Sequence, residues 1–120
     1  MEEIWKPIKD FEDYYEISNL GNVRSKERTI IQKNGRFHHR KGKILTPIAN
    51  KNVGLFQIML HSHQRYKLCY VHRLVAEAFV ENPHKLTYVT HLNGDDLDNR
   101  AENLRWVSKS NKLNKKLNLI

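Results

Sequence analysis

The chain has one cysteine, Cys69. That excludes an internal disulfide framework and a zinc site built from several cysteines. Cys69 lies in the apolar run Leu68-Cys69-Tyr70-Val71, where a thiol reads as a small buried hydrophobe rather than a nucleophile. Long hydrophobic runs are also missing. None approaches the roughly 20 residues that span a bilayer, so no membrane partner is expected. The first residues, Met-Glu-Glu-Ile-Trp-Lys, carry acids where a secretory leader carries bases. This argues against export and for a cytoplasmic place of work. No internal repeat or low-complexity linker divides the chain.

What is present is basic charge, unevenly placed. The 120 residues are 39% hydrophobic and 28% charged, with a formal net charge of +8. The length suits one ordinary domain with a modest core. Residues 24–43 hold eight bases against one acid, whereas residues 1–23 hold six acids against two bases. A second basic stretch, net +4, runs from 106 to 120. Charge concentrated in this way points to a polyanion, most often nucleic acid. The candidates in the first stretch are Arg24, Lys26, Arg28, Arg36, Arg40 and Lys41. Lys109, Lys112, Lys115 and Lys116 in the second are candidates for phosphate contacts.

The first part of the chain reads as short strands separated by turns. Residues 14–18 form one candidate, Asn19-Leu20-Gly21-Asn22 a turn, and Val23-Arg24-Ser25 a continuation. Residues 29–32 and 36–38 flank Asn34-Gly35, the signature of a tight hairpin turn. A basic two-stranded ribbon over 24–43 is a size that a DNA major groove admits. Residues 44–46 form a short strand stopped by Pro47. Residues 55–60 and 66–71 are two stronger strands, with a turn at 61–64. The period then changes. Val71, Leu74, Val75, Ala78 and Phe79 fall at helical spacing, the stripe of a helix buried on one face, and Asn82-Pro83 ends it. Residues 87–91 and 104–107 are extended, and Ser108 is an N-cap for a last helix over 109–118. The fold class expected is α+β. Residues 1–70 form a β-rich module and residues 71–120 a helix with a ββα finger, across a soft boundary.

Residues 88–111 carry the chemistry. His91 ends a β-branched run, Asn93-Gly94 turns the chain, and Asn103 precedes the partner strand. A neutral imidazole accepts a proton near cellular pH. Asn111 offers an amide oxygen to a hard divalent ion, and Asn103 is suited to bracing the loop through side chain–backbone hydrogen bonds. Together these fit metal-assisted attack of water on a phosphodiester, in line with the leaving oxygen.

Two segments resemble known modules. Val71-His72-Arg73-Leu74-Val75-Ala76-Glu77-Ala78-Phe79, His91-Leu92-Asn93-Gly94, Asp98-Asn99, Asn103-Leu104-Arg105-Trp106-Val107 and Asn111 resemble, in order and spacing, the HNH (His-Me finger, ββα-metal) endonucleases of phages and introns. Trp5-Lys6-Pro7-Ile8, Tyr14 and Tyr15, and residues 17–25 resemble the small DNA-binding module often found ahead of that nuclease. The resemblance implies a DNA endonuclease or nickase of the homing type that uses Mg²⁺ or Mn²⁺. It implies His91 as general base, Asn103 as the catalytic-motif asparagine that holds the loop, and Asn111 as metal ligand. His72 and Asn99 come out as structural residues at the site. His38, His39, His61 and His63 match nothing catalytic. It further implies a monomer or weak homodimer at work in a bacterial or phage-infected cell.

One residue departs from the family pattern. Before the base the family usually carries Asp, Asn or His, a metal ligand, and this chain carries Thr90. A neutral hydroxyl is a poorer ligand for Mg²⁺ than a carboxylate. Thr90 therefore takes the ligand position in a weakened form. It also keeps open an alternative, an HNH-derived protein that binds DNA or a host protein with little catalysis. An RNA-binding role fits the charge but not the order of His91, Asn103 and Asn111. The acids of the loop, Asp95, Asp96 and Asp98, are read as serving its turns.

Overall fold

Alternating side chains and closely spaced turn residues build a set of small antiparallel sheets in the computed structural model, which describes residues 2–63 and 65–108 (backbone only at Ile30). In chain order the strands are β1 (Trp5–Pro7), β2 (Tyr15–Ser18), β3 (Val23–Ser25), β4 (Arg28–Ile31), β5 (Phe37–Arg40), β6 (Ile44–Leu45), β7 (Ile48–Ala49), β8 (Phe56–Ser62) and β9 (Arg65–Tyr70). Helix α1 (Val71–Phe79) follows, then β10 (Tyr88–His91), a 3₁₀ turn at Ala101–Asn103, and β11 (Leu104–Val107). The class is α+β. The last helix expected over 109–118, and with it Asn111, Lys109, Lys112, Lys115 and Lys116, lies outside the described residues.

Four sheets result: β1-β2-β3-β6, the isolated pair β4-β5, the three-stranded β7-β8-β9, and the pair β10-β11. Two short strands escaped the sequence reading. β1 is paired through Lys6↔Ile17 and ends at Pro7, an edge position where proline's missing N–H costs nothing. β7 is only Ile48-Ala49, held by Gln57 and Phe56, too short to show a period. The β8-β9 hairpin is tighter than expected. Its ladder runs to Ser62↔Arg65, so His61 and Ser62 belong to the strand rather than the turn.

α1 buries Val71, Val75 and Ala76 as the apolar spacing requires. It stops before Pro83, because Val80 already has extended backbone while its N–H still closes on Ala76 O at 3.0 Å. Among the described residues no helix is long and apolar enough to cross a membrane. One continuous core joins the pieces. Ile8 and Phe11 from the β1–β2 connection and Ile17 and Val23 from the N-terminal sheet meet Ile58, Leu60 and Cys69 from β8 and β9, the α1 stripe, and Leu104 and Trp106 from β11. Trp106 also donates its indole N–H to Val80 O at 3.1 Å, which satisfies the polar tip of a buried ring.

The β2–β3 turn does more than reverse the chain. Ser18 Oγ accepts from Leu20 N at 3.2 Å and Asn22 N at 3.1 Å, and Gly21 takes φ +89°. Asn19 O accepts from Ala101 N at 2.7 Å, so the turn is docked on the loop before β11. A methyl added at Gly21 would lie 3.1 Å from Asn99 Cβ and 3.2 Å from Asn99 O. Gly21→Ala is therefore expected to destabilise the fold by about 1–2 kcal/mol, from left-handed backbone strain together with the crowded neighbour. Urea denaturation of the two proteins checks this, and equal midpoints would refute it.

Candidate active site

His91 is the last residue of β10, opposite Leu104, the first of β11. The loop 92–103 must therefore leave and return at the same point. Asn93-Gly94 starts the reversal, with Gly94 at φ +78° and its N–H on His91 O at 3.0 Å. Asn93 Oδ1 accepts from Asp95 N at 2.8 Å, and Asp95 Oδ1 from Leu97 N at 3.0 Å. These are local Asx turns.

Asn103 closes the loop. Its Oδ1 accepts from Asn93 N at 3.0 Å, and its Nδ2 donates to Asn93 Oδ1 at 3.0 Å and to Asp98 O at 2.8 Å. Its backbone carbonyl accepts from Leu92 N at 2.8 Å. The bracing expected of Asn103 is therefore present, and it acts through the loop rather than by touching His91. In geometric terms Asn103 is a positioning residue.

His91 itself is buried, with 3% of its side chain exposed. Its Nε2 lies 2.8 Å from Asn99 Oδ1. With the amide oxygen as acceptor, Nε2 carries the hydrogen and Nδ1 presents a lone pair. Asp96 Oδ1 stands 3.5 Å from that Nδ1. Asp98 has a different task. It pairs with Arg100 through two contacts of 2.8 Å and accepts from Asn93 Nδ2 at 2.9 Å. The hydrogen bonds from Arg100, first among the causes, hold the Asp98 carboxyl well below the usual carboxylate range.

His72, in the first turn of α1, lies between Tyr70 and His91 in tilted ring contacts, with centroids 5.7 and 5.2 Å away. Its Nδ1 is buried and makes no hydrogen bond among the described residues. Burial first, then the nearby His91 and Arg73, push its pKa down to about 4, against a smaller opposing effect of Asp96. His72 is thus a neutral wall of the site.

The structure brings His91, Asn99 and His72 into one cluster, with Asn103 behind the loop. Thr90 precedes His91 on β10, half-buried and paired across the ladder with Arg105. Among the described residues no group of three His, Cys, Asp or Glu converges as a metal site. Sequence reasoning missed two features. Asp96 faces His91, although nothing in its spacing separates it from Asp95 and Asp98. The Asn19–Gly21 turn supports Asn99, a contact that no local pattern announces.

The basic residues divide into two sets. Arg24 pairs with Glu16 at 2.8 Å and lies 4.0 Å over the Trp5 ring. Lys26 Nζ donates to Glu12 O at 3.1 Å, and Arg28 sits 4.6 Å over Tyr14. These three root the β4-β5 ribbon in its module. Arg36 lies toward the ribbon's tip beside Phe37, whereas Arg40, opposite Arg28, and Lys41 lie toward its root; all three are exposed, as are Ile31 and Phe37 at 67% and 74%.

The pH dependence of stability follows from His72. The unfolded chain binds a proton there near pH 6.5, whereas the folded chain resists until about 4. Stability is then full above pH 6.5 and falls by about 1.4 kcal/mol per unit as pH drops toward 4. His72→Gln is expected to flatten that part of the curve in denaturation measured across the pH range. An unchanged slope would show that other groups carry it.

Comparison with known proteins agrees with this layout. Residues 3–61 match a family model described as the NUMOD4 motif, and residues 69–113 match one described as HNH endonuclease. The chain is 34% identical over 105 residues to the DNA endonuclease I-HmuI of Bacillus phage SP01, covering 88% of this chain and 52% of that protein. It is 40% identical over 114 residues to an uncharacterized HNH endonuclease of Acanthamoeba polyphaga mimivirus, covering 90% of this chain and 24% of that one. A solved structure described as DNA binding and cleavage by the HNH homing endonuclease I-HmuI superposes with a TM-score of 0.68 at 34% identity, over 99% of this chain and 58% of that chain. The chain therefore spans between about a quarter and about half the length of these curated relatives.

Proposed function

Because this chain belongs to the HNH endonuclease family through residues 69–113, with a NUMOD4 motif ahead of them, we propose that it is a metal-dependent DNA endonuclease that nicks one strand per engagement. The observation that carries this reading is the state of His91. Asn99 occupies Nε2, and Nδ1 keeps a lone pair on the side of Asp96. A base oriented in this way can take a proton from water as that water attacks phosphorus. Asn103 and Asn99 hold the imidazole in place, and His72 keeps its flank neutral. A second active site, from another copy or a second visit, is needed for a double-strand break.

The donors in the chain suit a hard, small cation. They are oxygens, few in number, and zinc by contrast prefers three or four nitrogen or sulfur ligands. Mg²⁺ and Mn²⁺ keep several waters and use one or two protein oxygens plus phosphate. Asn111 and Thr90 are the residues that would hold the ion. When bound, it supplies charge stabilisation at the scissile phosphate and the leaving 3′ oxygen. Thr90 supports a second reading, a DNA-binding protein with weakened catalysis, because the hydroxyl adds no negative charge to the site.

Supercoiled plasmid with Mg²⁺ or Mn²⁺, and EDTA as control, tests the assignment. Nicked product that disappears with EDTA is expected. His91→Ala is expected to retard plasmid as the wild type does and to lose at least about 100-fold in rate. Equal cleavage by that variant would remove His91 from the role of base. Retarded but intact plasmid with the wild type favours the binder, and then Thr90→Asp should gain both Mn²⁺ affinity and nicking.

DNA is gripped in this reading by the β4-β5 ribbon, through Arg36, Arg40 and Lys41, with Lys109, Lys112, Lys115 and Lys116 adding charge against the phosphates. Neutralising Arg36, Arg40 and Lys41 together by glutamine should flatten the dependence of log K on log salt by about 0.9 for each phosphate that is no longer neutralised. Titration of a labelled duplex at several salt concentrations measures it. An unaltered slope would take the ribbon out of the interface.

A further inference from the structure

Three carboxylates follow His91 in the loop. Asp95 caps Leu97 N, and Asp98 binds Arg100 and Asn93. Asp96 Oδ1 lies 3.5 Å from His91 Nδ1. Since Nε2–H is given to Asn99 Oδ1, Nδ1 and the Asp96 carboxylate are both acceptors. Two acceptors do not bond to each other, and 3.5 Å is long even for a charge-assisted contact. A donor with two hydrogens, such as water, satisfies both acceptors, and solvent meets the pair from the Asp96 side, which is 36% exposed against 3% for His91.

From this arrangement we infer that Asp96 positions the attacking water, accepting one of its O–H groups while His91 Nδ1 accepts the other. The inference rests on the nuclease reading. As the water attacks, the proton facing His91 passes to Nδ1 and the oxygen's electron pair forms the new P–O bond. The bond from phosphorus to the 3′ oxygen breaks, and its electron pair leaves with that oxygen. Asp96 takes no proton. It keeps the remaining O–H and faces the imidazolium that has just formed.

Plasmid nicking by Asp96→Ala and Asp96→Asn, at saturating plasmid and over a Mg²⁺ series, separates the possibilities. For Asp96→Ala, kcat should fall about 100-fold, the scale of a misoriented reactant. Asp96→Asn, which keeps an acceptor oxygen and the side-chain size, should lose less. KM, plasmid retardation and the Mg²⁺ concentration for half-maximal rate should not move. Wild-type kcat in both variants would overturn the proposal, and so would a raised Mg²⁺ requirement, which would make Asp96 an ion ligand. If the wild type does not nick, the nuclease reading fails on its own, and a crystal structure resolving ordered waters decides the placement. A water bonded to both His91 Nδ1 and Asp96 supports it, whereas a direct His91–Asp96 hydrogen bond overturns it.

Discussion

The buried amide of Asn103 is the group on which the site depends. A strand pair that ends at His91↔Leu104 must return the chain to its starting point, and polar backbone inside that loop needs partners. Asn103 supplies them from one side chain, bonding Asn93 N, Asn93 Oδ1 and Asp98 O. No apolar residue of similar size does this, because the loop ends require both a donor and an acceptor at one point. Once the loop is closed, Asn99 stands beside His91 and Asp98 is left to hold Arg100. The orientation of the imidazole thus follows from a hydrogen-bond network in which Asn103 never touches it.

The N-terminal module takes part in the same network. Asn19 O accepts from Ala101 N, and Gly21 leaves just enough room for Asn99. The core is continuous across the two family segments, with Ile17 and Val23 on one side and Val75 and Leu104 on the other. The segment that matches the NUMOD4 motif thus also props Asn99, the residue bonded to His91. Changes in its turn are felt at the site through packing, as close-packed interiors transmit small displacements.

Basic charge is likewise divided by structure into two tasks. Arg24, Lys26 and Arg28 are bound to Glu16, Glu12 O and Tyr14, and these contacts anchor the ribbon. Arg36, Arg40 and Lys41 remain exposed on a two-stranded element with little packing of its own. An isolated hairpin is marginally stable in water, so this one depends on its root and, in the proposed function, on the duplex.

Much of this was legible in the sequence because it is set within a few residues. Helical spacing from Val71 to Phe79 and the Asn-Gly turns follow from local backbone geometry, and the order of His91, Asn103 and Asn111 is read directly along the chain as a resemblance. Net charge and its concentration over 24–43 needed only counting. Short strands without a period, β1 and β7, were not legible, since pairing rather than propensity makes them. Nor was the division of labour among Asp95, Asp96 and Asp98, three acids of one chemistry in one loop. The residues themselves therefore determined which family models the chain matches, which histidine is the candidate base and which asparagine braces the loop. Tertiary structure alone decided which ring nitrogen is available, which carboxylate faces it and that Gly21 supports Asn99. These are contacts between segments far apart in the chain, and they come into being only when the loop and the core close.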